Sequence, residues 1–212
     1  MAKGKVITVA QQKGGAGKTT LAINLAVGLM RAGLRVAVLD TDPQGSLGRW
    51  FMTRREVLAD PGLAFATASA WGVGYECEKL RGEADVVIVD TPPKADSDLR
   101  PALREADLVL IPVASSHVDL WATEGVLDLA RRSGKPALIV LNRARARTRL
   151  GAEVAEAARA LDAEVAPAQI ANRVLYAQSL GEGMAALEAG ASPAVRDEMA
   201  ALVTLVRERV GI

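Results

Sequence analysis

The chain has 212 residues, of which 50% are hydrophobic, enough to bury one sizeable core, and the length fits a single domain over residues 1–212. Its 26 basic and 25 acidic residues leave a net charge of +1, so nucleic-acid contact would need a local patch rather than a global positive field. One cysteine, Cys77, rules out an internal disulfide or a four-cysteine cluster. No signal-peptide pattern and no run of ~20 apolar residues are seen, which leads us to expect a soluble cytoplasmic protein.

Short apolar runs alternate with longer amphipathic ones. The runs are Val6–Ala10, Val36–Leu39, Leu63–Ala66, Val86–Val89, Leu108–Val113 and Ala137–Leu141, with a weaker one at Glu164–Ala168. Most are continuous rather than alternating, as expected of parallel strands covered on both faces. Helical patterns fall at Lys18–Arg31, Asp98–Glu105, Leu120–Arg131, Leu150–Leu161 and Pro193–Val210. Gly33, Gly134 and Pro136 stand where helices should stop. The expectation is an α/β fold, a mostly parallel twisted sheet with helices on both faces. The stretch from Trp50 to Glu76 reads as irregular. In the last helix Val195, Met199, Leu202, Val203, Val206 and Val210 share one face, while the other mixes acids and bases. That pattern fits docking onto a core better than lying on a membrane.

The first strand runs into Gln11-Gln12-Lys13-Gly14-Gly15-Ala16-Gly17-Lys18-Thr19-Thr20 and then into a helix. Strand, glycine loop and helix make a phosphate site, because glycines let successive N–H groups face one concavity and the helix start adds its own. Lys18 is placed to reach the β- and γ-phosphates, and the Thr19 hydroxyl to ligate Mg²⁺. The usual G-x-x-x-x-G-K-[ST] spacing is not met, since Gln12 stands five before Gly17. Lys13-Gly14-Gly15-x-Gly17-Lys18-Thr19 instead resembles the deviant Walker-A loop of the ParA/MinD family. That resemblance implies that Lys13 crosses to the partner subunit's ATP in a face-to-face dimer.

Two strands end in carboxylates: Asp40-Thr41-Asp42-Pro43-Gln44-Gly45 and Asp90-Thr91-Pro92-Pro93. Acids at the carboxyl ends of parallel strands point into the ligand crevice, where a phosphate-bound Mg²⁺ needs oxygens. Asp90 takes the Walker-B position. Asp40, still in its strand, is expected near the metal, and Asp42 in the loop is expected to hold the attacking water, although Asp42 before Pro43 also suits an Asx-turn. The D-x-D-P-Q-G string again resembles the ParA family, where the second aspartate supports hydrolysis. At the end of the sixth run, Asn142 offers a donor and an acceptor to an adenine edge. The resemblance places Asn142 and Arg143 at the base, with Ala168–Ile170 as an apolar wall.

The likeness covers nearly the whole chain, including Arg173-Val174-Leu175-Tyr176 and Gly181 to Glu188. It implies a small ParA without the extra N-terminal DNA-reading domain of larger members. Implied with it are a homodimer on ATP binding, nonspecific double-stranded DNA binding on the nucleoid, a ParB-like activating partner, and positioning of a plasmid, chromosome or other cargo. Arg173 and Arg207 are the analogy's DNA candidates. Arg143, Arg145, Arg147 and Arg149 form a second basic run that is equally consistent with a solvated loop. Competing readings are a MinD-like positioning regulator, which needs a membrane helix after Ile212, and a small-molecule ATP enzyme of the same class. A nitrogenase iron-protein relative needs more cysteines, and a bacterial tyrosine kinase usually shows a tyrosine cluster. His117 reads as a surface or loop residue.

Overall fold

A computed structural model describes residues 3–93, 96–114, 116–145 and 148–212. Seven strands form one all-parallel sheet: β1 (Lys5–Val9), β2 (Val36–Asp40), β3 (Ala64–Thr67), β4 (Val86–Asp90), β5 (Leu108–Val113), β6 (Ala137–Leu141) and β7 (Glu164–Val165). Their order is β3-β2-β4-β1-β5-β6-β7. Every residue of β2, β4 and β5 is buried, which is why those runs show no alternation in the sequence. The pleat still sorts them. Ile7, Val9, Val38 and Ile88 join the core on one face, whereas Val6, Leu39, Val87 and Val89 join the other.

The first face is covered by α1 (Lys18–Arg31), α2 (Ser46–Val57), α7 (Val174–Gly181) and α8 (Pro193–Val210). The second is covered by α3 (Val73–Glu83), α4 (Asp96–Glu105), α5 (His117–Arg132) and α6 (Arg149–Arg159). The expected apolar face of α8 is the buried one, residue for residue. It packs on α1 so closely that a Cβ on Gly28 would come within 2.7 Å of Val203 Cγ2. Glycine there shortens the helix–helix distance, so the stripe is consumed by internal docking.

The stretch expected to be irregular is mostly helical. It holds the rest of α2, the strand β3, a 3-10 turn at Ala70–Gly72 and the start of α3. α2 starts without a side-chain cap of its own and α3 carries Gly74 and Gly82, so neither announces itself locally. α7 is only 8 residues long, too short for a periodic signal. Arg147 of the basic run lies outside the described residues.

Sheet order positions the site. After β1 the chain crosses to β2 and β3 on one side, inserts β4 next to β1, then moves to β5 on the other side. The loop after β1 therefore emerges where connections diverge, between the ends of β4 and β5, the usual place for a ligand crevice. Among the described residues no helix is long and apolar enough to cross a membrane.

Candidate nucleotide site

The loop between β1 and α1 is shaped by Gly15 and Gly17, at φ 81° and 85°. Both angles are left-handed and cost a side-chain-bearing residue strain. At Gly17 space is also decisive, because a Cβ would lie 2.5 Å from Asn142 Nδ2. Asn142 is buried, donates from Nδ2 to the Ala16 carbonyl at 2.9 Å, and accepts at Oδ1 from the Arg143 amide. It braces the back of the phosphate loop and, with Arg143, also lines a smaller cavity beside Tyr176. Gln11 braces the loop's entry by donating to the Pro112 carbonyl and the Thr123 hydroxyl.

Lys18 is buried at the first turn of α1, and burial lowers its pKa while Asp90 and Asp42 pull the other way. A desolvated ammonium facing two carboxylates is an arrangement that an incoming phosphate would complete. Thr19 Oγ1 donates to Asp90 Oδ2 at 2.6 Å. The other oxygen, Asp90 Oδ1, is buried without a hydrogen-bond partner among the described residues. Burial pushes this carboxyl up to about 7, against the pull of Thr19 and Lys18, with Asp40 and Asp42 pushing further. A buried orphan oxygen beside a threonine hydroxyl suits a hard cation and its waters. Residues Thr19 and Asp90 thus fit Mg²⁺.

Asp40, expected near the metal, also anchors the backbone that follows it. Its Oδ1 accepts from the Asp42 amide at 3.0 Å and its Oδ2 from the Gly48 amide at 2.9 Å. Burial raises its pKa while these N–H groups oppose the rise. Asp40 anchors the Asp42 loop and the first turn of α2, supplying the cap that α2 lacks. Asp42 Oδ1 accepts from the Gln44 amide at 2.9 Å, so the Asx-turn is present and also fixes this carboxylate at the crevice.

Lys13 was legible as an unusual lysine, but its partner was not. Its Nζ lies 3.0 Å from Asp119 Oδ2, in the first turn of α5, and Asp119 also accepts from the Ser116 hydroxyl. The one local hint is Ser116-x-x-Asp119 ahead of an apolar run, the pattern of a helix start. His117, first residue of α5, is exposed as expected.

A cavity of about 590 Å³ opens over the phosphate loop. Gly14, Gly15, Gly17, Lys18, Thr19 and Thr20 form its floor, Asp42 and Arg49 one wall, and Arg143 another. Thr20 and Arg143 also border a second cavity of about 320 Å³, completed by Asn172, Arg173, Val174 and Tyr176. Arg143 adopts φ 52°, a left-handed conformation uncommon for a residue with a side chain. Of the expected apolar wall, Ile170 is buried, but the second cavity begins one residue later at Ala171. Arg173 is ion-paired to Glu198 of α8 at 2.6 Å. Arg207 is half-buried, with its Nε lacking a partner among the described residues.

Comparison with known proteins agrees with this geometry. The model of the CobQ/CobB/MinD/ParA nucleotide binding domain matches residues 7–187. The chain is 31% identical over 199 residues to maintenance of carboxysome distribution protein A of Halothiobacillus neapolitanus, covering 90% of this chain and 91% of that one. It is 36% identical over 154 residues to the chromosome-partitioning ATPase Soj of Thermus thermophilus, an alignment spanning 60% of this chain and 61% of that one. In fold it is similar to an aspartate-to-alanine variant of Cyanothece McdA in complex with ATP, with a TM-score of 0.80, 18% identity and coverage of 100% and 98% of the two chains. It is likewise similar to the septum site-determining protein MinD of Pyrococcus horikoshii OT3 complexed with Mg-ADP, with a TM-score of 0.79, 19% identity and 98% coverage of each. A phosphate loop with two lysines, a magnesium-fitting threonine–aspartate pair and a match along most of the length lead to one assignment: the chain belongs to the CobQ/CobB/MinD/ParA nucleotide-binding-domain family.

Proposed function

We propose that this protein is a single-domain Mg-ATP-dependent ATPase of the ParA type that dimerises on ATP and binds duplex DNA nonspecifically. By this reading it positions a cargo along the nucleoid in the cytoplasm, and a ParB-like or other partner stimulates hydrolysis. The observation that carries it is the buried Asp90 oxygen beside Thr19, without a partner among the described residues, at the foot of a loop that holds both Lys13 and Lys18.

The residues divide the work. Amides of the glycine loop and the first turn of α1 hold the phosphates, and Lys18 offsets the charge that builds on the departing ADP. Thr19 and Asp90, with Asp40 beside them, would hold Mg²⁺, which would offset the charge on the phosphate oxygens. Asp42, fixed by its turn to Gln44, orients a water in line with the γ-phosphorus. As water's oxygen bonds to phosphorus, the bond to the β–γ bridging oxygen breaks, giving ADP and phosphate. Lys13 leaves Asp119 and reaches across to the partner's ATP, so that the nucleotide becomes part of the interface. Asn142, Arg143 and the cavity before α7 receive the base.

DNA contact falls to arginines on the dimer surface. Arg207 is one candidate; Arg173 would first have to exchange Glu198 for a phosphate. Doubling the chain doubles the cations presented together, which ties DNA affinity to ATP. The test is ATP turnover measured with and without duplex DNA over a salt titration. Turnover that DNA raises, and that salt returns to its basal value, is the expected result. Turnover indifferent to DNA at low salt removes the DNA-bound part of the proposal, and no adenine-nucleotide binding removes all of it.

A further inference from the structure

The cavity does not stop at the phosphate loop. It continues past Asp42 and Gln44 onto α2, where Ser46, Arg49, Trp50 and Thr53 line it. Arg49 is exposed to this cavity, and its guanidinium makes no ion pair among the described residues. The other cations around the loop have other places in the proposed site. Lys13 is held by Asp119, Lys18 faces Asp90 and Asp42, and Arg143, which lines this cavity too, also borders the second one, where the proposed function seats the base.

Two anchors fix the position of Arg49. On one side Asp40 receives the Gly48 amide and so ties the first turn of α2 to the end of β2. On the other, Trp50 Nε1 donates to the Met184 carbonyl, and Arg54 forms a buried pair with Glu188 and donates to the Gly183 carbonyl. Arg49 lies between these anchors. Its helix is stapled to the sheet and to the segment after α7, so its side chain is presented to the crevice from a rigid base.

The direction of a bound nucleotide follows from the two cavities. The smaller one lies beyond Arg143 and before α7, where the proposed function seats the base. A phosphate chain crossing the loop from there ends on the side of Asp42 and Arg49. A guanidinium without a carboxylate partner on that wall has the geometry for phosphate oxygens.

We infer that Arg49 is a specificity-determining residue that contacts the terminal phosphate of the chain's own nucleotide and favours a nucleoside triphosphate over a diphosphate. The inference rests on the proposed ATP site. Arg49 acts in cis, from α2, independently of dimerisation and of Lys13. It also joins nucleotide state to α2, since the first turn of the helix that carries it is tied to Asp40 through the Gly48 amide.

The test is titration calorimetry with Mg²⁺ and either ADP or a non-hydrolysable imido analogue of ATP. The proteins are wild type, Arg49→Ala, Arg49→Glu and, as a control on the same helix, Arg55→Ala. Arg49→Ala is expected to weaken the triphosphate analogue about tenfold or more while changing ADP by less than about threefold, and Arg49→Glu to deepen the loss for the triphosphate. Arg55→Ala is expected to change neither. Equal loss for both nucleotides, no loss for either, no further loss in Arg49→Glu, or an equal effect of Arg55→Ala overturns the inference while the ATP site stands. Wild-type protein that binds neither nucleotide overturns both.

Discussion

Lys13 and Asp119 form an ion pair at 3.0 Å, between a lysine side chain 35% exposed and a carboxylate 4% exposed, across 106 residues of sequence. The lysine proposed to act on a partner's ATP is folded back onto its own α5. A pair with one half-exposed member is worth about 1 kcal/mol. That is small beside the charge of a triphosphate, so the lysine can exchange one anion for another when subunits meet. Lys13→Ala should therefore fold, lose about 2–4 °C in Tm, and fail to dimerise with ATP. Light scattering with and without Mg-ATP measures this, and a dimer as strong as wild type's rules out the cross-subunit role.

Asp42 lines the cavity over the phosphate loop, held by its turn to Gln44. Asp42→Ala should keep its affinity for ATP and lose turnover by about a hundredfold or more, the scale of a lost water-orienting group. Its Asx-turn is exposed, so stability should change little. Phosphate release at saturating Mg-ATP is the readout, and wild-type turnover in this variant would remove Asp42 from the water.

Asp90 makes the nucleotide-free protein pH-dependent. Its folded pKa of about 7 stands above the ordinary 3.8, so the folded state holds the proton more tightly than the unfolded one. The stability from this group is full below the ordinary value, declines as pH rises, and is gone above about 7. Each unit is worth about 1.4 kcal/mol, so from about pH 5 to pH 8 the loss is about 2–3 kcal/mol. Asp90→Asn should escape that loss, being relatively more stable at pH 8 than at pH 5 when Mg²⁺ is absent. Adding Mg²⁺ should restore wild type at pH 8 and leave the variant unmoved. Parallel melting curves for the two proteins across pH would contradict the assignment.

Arg54 is the largest fully buried side chain among the described residues and is 1% exposed. It pairs with Glu188 through two 2.7 Å bonds, donates to Pro61 and Gly183 carbonyls, and stacks over Trp50 at 5.4 Å. Removing one member of a buried pair leaves the other charge uncompensated, at a cost of about 3–5 kcal/mol. Arg54→Ala should lower Tm by roughly 10 °C. Arg54→Met with Glu188→Leu should recover most of it, because the burial cost of both charges disappears together. Thermal unfolding of the two variants tests the pair.

The phosphate loop, α1 and the strand-end aspartates were legible because each depends on consecutive residues. Strand, glycines, lysine and threonine follow one another, and a parallel sheet puts every strand's carboxyl end on the same edge. Strand limits agree with the sequence pattern to within a few residues, most closely at β5 and β6, where apolar runs are bounded by turn formers. α2 was not legible. Its cap is Asp40, which belongs to the preceding strand, and its anchors Met184 and Glu188 lie 134 residues away.

By itself the sequence determined the α/β class, the two-lysine phosphate loop, and the pair Thr19 and Asp90. Only the tertiary structure decided that Asp40 anchors α2, that Asn142 braces Ala16 across 126 residues, that Asp119 holds Lys13, and that Arg49 faces the crevice. The physical reason is range. Local spacing dictates backbone conformation and which residues share a strand end. Which distant side chain meets them depends on the sheet order that sets β1 between β4 and β5, and that order follows from packing the whole core at once.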